Sequence, residues 1–282
     1  MISLLRTEFV KAAFRTRTLV ITLLLIGLPT LIVVAIKTRG DRPGRGDNAE
    51  GLFRLAQQSG LLVPAAVLSI MSAFLLVVIA GLLAADSVAG DAAWGNLRYV
   101  LMRPVGRARL LVAKAAVAGF LIWACVLLVA LTALAAGFIA FGSHPLNVPA
   151  VPGGAGRAAS AGFQLATSTL LVRVVIVTAY VAFGFTALLA LGTFFSTLTD
   201  TPTGAIGATV GVYIVSEILD GITQLGNIRY GLPTHYLDSW QPMFTQNQYP
   251  HDMLAGLAVQ VGYLIVFGAA AIVWFRRKDI RS

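Results

Sequence analysis

Residues Asp86–Lys114, DSVAGDAAWGNLRYVLMRPVGRARLLVAK, lie between two stretches that carry no charge at all, Gly60–Ala85 and Ala115–Phe141. Each flank is long enough to cross, as a helix, a hydrocarbon core about 30 Å thick. The quoted segment is therefore a short basic connection held at one membrane face. Such a connection suits docking to a soluble partner.

Composition points the same way. The chain has 282 residues, 57% hydrophobic and 12% charged, where globular domains carry about 25% charged residues. A soluble fold would lack the charge to cover its surface. No gap between apolar runs is long enough for an independent soluble domain, so residues 1–282 read as one transmembrane domain. The net charge is +9. Its basic residues gather at the ends of apolar runs, which selects anionic lipid headgroups as partners and excludes nucleic acid. The one cysteine, Cys125, sits inside an apolar run and reads as a small packing residue.

Six apolar runs can be marked: Leu19–Ile36, Leu61–Ala85, Ala115–Phe141, Val174–Leu198, Pro202–Leu219 and Met253–Phe275. Backbone polar groups must be satisfied within the segment in lipid, and no run alternates polar with apolar residues, so each is a helix. The expected fold is an all-α polytopic membrane protein with six transmembrane helices. The first run reads as a retained anchor, because Lys37, Arg39 and Arg42 follow it in place of a cleavage site. The fifth is the weakest. It contains Gly207 and Gly211 in a G-x-x-x-G pair and meets Glu217 before its end. Two readings stay open there, a short span packed through its glycines or a broken, path-lining element.

Six crossings place both termini on one face. Arg6, Lys11, Arg15, Arg17, Arg98, Arg103, Arg107, Arg109, Lys114, Arg276, Arg277, Lys278 and Arg281 share that face and outnumber the basic residues opposite. The termini are therefore expected in the cytoplasm, with the chain in the plasma membrane. Before the first span, residues 1–18 form an expected interfacial helix. Ile2, Leu5, Phe9 and Ala13 fall on one face, and Glu8, Lys11 and Arg15 on another, with the basic side toward lipid headgroups.

Within the basic connection, Asn96 is a helix cap for Leu97 onward, Leu97 and Leu101 share a face, and Pro104 and Gly106 stop the chain. The stretch GDAAWGNLRYVLMRPVGRARLLVAK resembles the pattern E-x-x-x-G-T-L-x-x-L-L-x-x-P-V-S-R-x-x-L-L-x-x-K of type-2 permeases of ATP-binding-cassette transporters. Gly95, Leu97, Pro104, Val105, Arg107 and Lys114 match, Asp91 stands for the usual Glu, and Asn96 and Gly106 depart from the pattern. The resemblance extends to the whole layout. It implies a permease that pairs with a second copy or a homologous permease around a substrate path. Each copy docks a separate ATPase through a cytoplasmic coupling helix within residues 86–110. The implied coupling residues are Asp91, Trp94, Gly95, Asn96, Leu97, Arg98, Leu101, Arg103, Pro104 and Arg107. ATP and Mg would belong to the partner.

The sequence itself contains no G-x-x-x-x-G-K-[ST] loop to cradle phosphate. No catalytic role is expected of this chain. His144, His235 and His251 are too scattered for a metal site and read as loop residues. Residues 220–252 form an external aromatic segment. Its Tyr236, Trp240 and Phe244 fit either an interfacial belt or a gate over the path. The loop containing PGGAGRAASAG reads as a flexible external connection. Apolar spans suit export of a hydrophobic or amphiphilic cargo such as a drug, antibiotic, lipid or peptide. The alternative is an ATP-independent carrier or channel, which calls for broken helices in repeated halves.

Overall fold

The computed structural model describes residues 7–10, 16–38, 48–93, 106–148, 162–245 and 251–278. Five helices are each long and apolar enough to cross a membrane: α1 (Thr16–Thr38), α6 (Arg107–Phe141), α7 (Thr167–Leu198), α8 (Pro202–Asp220) and α10 (His251–Arg277). A sixth span is made of two pieces. A 3-10 turn at Gly60–Leu62 leads into α3 (Val63–Ala73), which meets α4 (Leu75–Ala85) at an angle of 57°. The short α2 (Asn48–Gln58) precedes this pair, and α5 (Ala89–Ala93) follows it.

The bent pair makes one full crossing. At its start the Gly60 amide donates to the Gly142 carbonyl, 3.0 Å away at the far end of α6. Beyond its finish, Asp91 on α5 pairs with Lys114 near the start of α6. The pair therefore runs the length of α6 rather than turning back midway. The all-α six-span expectation holds.

One span, the second, is broken where the sequence reading expected any break in the fifth. The α8 helix is continuous from Pro202 to Asp220. Just before the break the Ser69 and Ser72 hydroxyls donate back to the Ala66 and Ser69 carbonyls, at 2.8 and 3.1 Å, a contact that eases bending but does not break α7, where Thr178, Thr186 and Thr193 make it too. Phe74 then leaves the helical region at φ −145°, ψ −57°. A carbonyl freed at such a joint needs another donor in lipid. Tyr213 of α8 supplies it, its hydroxyl donating to the Ser72 carbonyl at 3.2 Å.

The helix α7 is the central post. Its apolar stretch is 72% buried, against 22% for α1 and 17% for α10, which are exposed on most sides. Lipid tails are as apolar as leucine, so helices associate by close packing rather than by escape from water. Gly192 shows this: a methyl built there would lie 2.7 Å from Ala84 Cβ and 2.8 Å from Thr209 Oγ1, so α4, α7 and α8 meet at that point. By contrast, a methyl built on Gly207 or Gly211 meets nothing within 4 Å. The G-x-x-x-G pair is not used for packing among the described residues.

The third connection is also more ordered at its ends than expected. Leu146–Val148 and Phe163–Leu165 pair as antiparallel strands, Leu146 opposite Leu165, both buried. Ser59 donates to the His144 carbonyl at 2.6 Å and fixes this hairpin to the second span. Most of the glycine-rich stretch expected to be flexible lies outside the described residues.

Candidate coupling site

The helix α6 has 35 residues and is about 52 Å long at ~1.5 Å per residue, well over the hydrocarbon thickness. Its first turns, with Arg107, Arg109 and Lys114, reach the interface at the basic end of the bundle. There the connection after α4 is seated by several spans. Ser196 of α7 is fully buried. Its hydroxyl accepts from the Val88 and Ala89 amides at 3.2 and 2.9 Å and donates to the Ala85 carbonyl at 3.0 Å. Val88 packs with Leu111, Ala271 and Phe275, and Ala89 packs with Ala205. Spans three to six therefore all touch this turn.

Two ionic contacts then fasten the N-terminal part of the chain to it. Lys114 is only 8% exposed and pairs with Asp91 on α5 and with Glu8, the latter at 3.6 Å. Arg17 at the start of α1 pairs with Asp86. Phe9 meets Phe120 of α6 edge to face, with centroids 5.6 Å apart. Residues 7–10 are helical. Phe9 thus sits on an apolar wall, but Glu8 turns to the protein rather than to the headgroup side. Lys114 likewise is a buried member of α6 and not a loop cation that only sets topology. A third group closes the ring: Lys278 reaches Asp200 at 2.7 Å and the Thr197 carbonyl at 3.0 Å, and Arg107 donates to the Lys278 carbonyl at 3.0 Å.

Of the coupling residues expected from the sequence, Asp91 and Arg107 are placed, and both hold other elements. Trp94, Gly95, Asn96, Leu97, Arg98, Leu101, Arg103 and Pro104 lie outside the described residues, as do Leu5, Lys11 and Arg15 of the N-terminal helix. Sequence reasoning missed Glu8, Arg17, Asp86 and Ser196 as partners. One signal was available. Asp86 is the first charge after a long uncharged run, and a carboxylate there needs a cation close by.

At the opposite end, residues 221–245 fold over the helix tips. Tyr236, Trp240 and Phe244 are 8%, 1% and 0% exposed, packed inward against the core. That corrects the belt reading for these three, while Tyr230 stays exposed. Side chains of the spans fasten the segment: Tyr180 donates to the Tyr236 carbonyl at 2.6 Å, Ser216 bonds Thr234 at 2.6 Å, and Arg173 donates to the Met243 carbonyl. Asp220 takes His235 and, at 3.4 Å, Arg229. Glu217, one turn before it, is exposed. Among the described residues no group of three His, Cys, Asp or Glu could hold a metal ion.

The comparison with curated proteins found no match. The family model described as "ABC-2 family transporter protein" matches residues 2–280, nearly the whole chain. With its apolar spans and the seated basic connection, this chain belongs to the ABC-2 family of transporter proteins.

Proposed function

We propose that the chain is the permease of an exporter, driven by a separate ATPase that docks at the basic, cytoplasmic end. The observation that carries this reading is the seat under residues 86–93. A segment that must deliver force needs a rigid base, and this one is tied to α7 by Ser196 and to the N-terminal helix, α1 and α6 by ion pairs. A push on the connection would move several spans together.

Two copies would pair through α8 and the bent span. Thr203, Gly207, Gly211, Ile214 and Ile218 recur at three- and four-residue spacing along the open side of α8. The two glycines there meet nothing within the chain, and small residues let a facing helix come close. Phe74, 65% exposed at the joint of the second span, adds to this face. The cargo is a hydrophobic or amphiphilic compound moving between the copies, under the cap formed by Tyr236, Trp240 and Phe244.

The second reading, an ATP-independent carrier, is favoured by one observation, the broken second span. Its other requirement is a matching break in the second half, and α8 is continuous. The deciding experiment compares vesicles holding this chain alone with vesicles holding it together with the ATPase that copurifies from its own membrane. A hydrophobic fluorescent dye should accumulate only with the ATPase and ATP. Equal accumulation by the chain alone would establish the carrier instead.

A further inference from the structure

Beside the coupling seat, with which it shares Leu111 and Ala271, and away from the proposed pairing face, α6, α7 and α10 enclose a groove of about 700 Å³ that is open along one side and bordered at Phe120 by Phe9. Val112, Phe120 and Trp123 of α6 form one wall, Leu189 of α7 the floor, and Leu264 and Ile272 of α10 the other wall. Polar atoms in the lining are already engaged. Trp123 Nε1 donates to Thr186 Oγ1 at 2.9 Å, and Thr193 bonds the Leu189 carbonyl at 2.8 Å. The groove thus offers carbon to its occupant. It runs along α6 from Leu111 to Leu127, about 24 Å at ~1.5 Å per residue. One leaflet of the hydrocarbon core is about 15 Å deep, so an acyl chain entering from the basic end fits within that length.

Two glycines hollow the groove. Gly119 and Gly268 both line it, and a methyl built on either meets nothing within 4 Å. Neither glycine is needed to let helices touch; their missing side chains leave room for something else. The mouth at the basic end is cationic. Arg109 lies three residues before Val112 on one wall, and Arg276 lies four residues after Ile272 on the other, so each continues a wall by one helical turn. Both are exposed, and neither has an ion-pair partner among the described residues. The carboxylates described near that end are occupied: Asp86 by Arg17, Asp91 by Lys114 and Asp200 by Lys278.

We propose that this groove binds a diacyl phospholipid with an anionic headgroup, one acyl chain lying along α6, α7 and α10 and the phosphate held between Arg109 and Arg276. Guanidinium groups match phosphate oxygens in geometry as well as charge. The apolar trough alone would accept any lipid tail; the paired arginines select the anionic head.

The test is native mass spectrometry of the full-length protein in detergent, with phosphatidylglycerol or phosphatidylcholine of identical chains added at equal concentration. The wild type should retain phosphatidylglycerol in preference. The double variant R109Q/R276Q should lose that preference, with retention of phosphatidylglycerol falling about thirtyfold at ~1 kcal/mol per interfacial cation. The double variant G119L/G268L puts two side chains into the groove, each with its Cβ in open space, and should lower retention of both lipids alike. Equal retention of the two lipids by the wild type would overturn the proposal. So would unchanged lipid retention in G119L/G268L, or loss of dimer in that variant with lipid count preserved, which would mark the groove as a contact between copies.

Discussion

The two ends of this bundle solve one problem with opposite chemistry. Each must hold irregular backbone against the tips of helices. The basic end uses charge: Lys114 with Asp91 and Glu8, Arg17 with Asp86, Lys278 with Asp200. The opposite end leans more on buried rings and neutral hydrogen bonds, Trp240 and Phe244 in the core, Tyr180 to the Tyr236 carbonyl and Ser216 to Thr234, with charge limited to Arg173 on the Met243 carbonyl and Asp220 with Arg229 and His235. Apolar packing is short-ranged and unforgiving of displacement. Ion pairs at an interface are weaker but act over longer distances and can exchange partners. The cap is held chiefly by the first kind of contact, and the ionic ring around the seat by the second.

The comparison breaks most visibly at the cap. Trp240→Ala should cost about 3–5 kcal/mol by removing a fully buried ring, read as a large fall in unfolding temperature in detergent. The Trp240 indole nitrogen has no hydrogen-bond partner among the described residues, so Trp240→Phe should cost far less. Equal losses for the two variants would mean that the ring is not an apolar plug. At the seat, Lys114→Met leaves two carboxylates facing each other in a largely buried site. It should destabilise by about 3 kcal/mol, the low end of what stranding a buried charge costs. The triple variant E8Q/D91N/K114M should recover most of that stability and none of the coupling to ATP hydrolysis, which separates rigidity from transmission.

A smaller effect is expected where the two chemistries meet. Ser196→Ala strands two buried amides and should cost about 1–3 kcal/mol. Proteolysis should then open the connection after α4 before it opens the cap. Arg17→Gln is the mildest change. Its guanidinium is 38% exposed, so the loss should stay at or below about 1 kcal/mol and fade in 1 M salt. A salt-insensitive loss would place that pair with the buried kind.

The spans were legible because the bilayer leaves an apolar run few alternatives, and the uncharged flanks of Asp86–Lys114 state their own length. Other features were hidden for particular reasons. No proline or glycine marks the bend at Phe74, and serines in an apolar run look alike whichever carbonyl they choose. Tyr236, Trp240 and Phe244 carry no mark of direction, since an aromatic ring suits a headgroup layer or a core equally well. Lys114 was read as the last cation of a loop because it precedes an uncharged run. Only the fold shows that α6 turns this ammonium inward, toward Glu8, a residue far away in sequence. The glycines divide in a way that spacing does not show: Gly207 and Gly211 stand on the open side of α8, whereas Gly192, in no motif, sits where three helices touch.

The joint at Phe74 has a mechanical consequence. Its outer limb is bolted to the hairpin through Ser59 and Gly60, while its inner limb ends in the turn gripped by Ser196. A straight rod would carry a thrust unchanged from one surface to the other, whereas a thrust on this articulated one would become a sideways swing, the limb after Phe74 tilting like a knee while the limb before it stays planted.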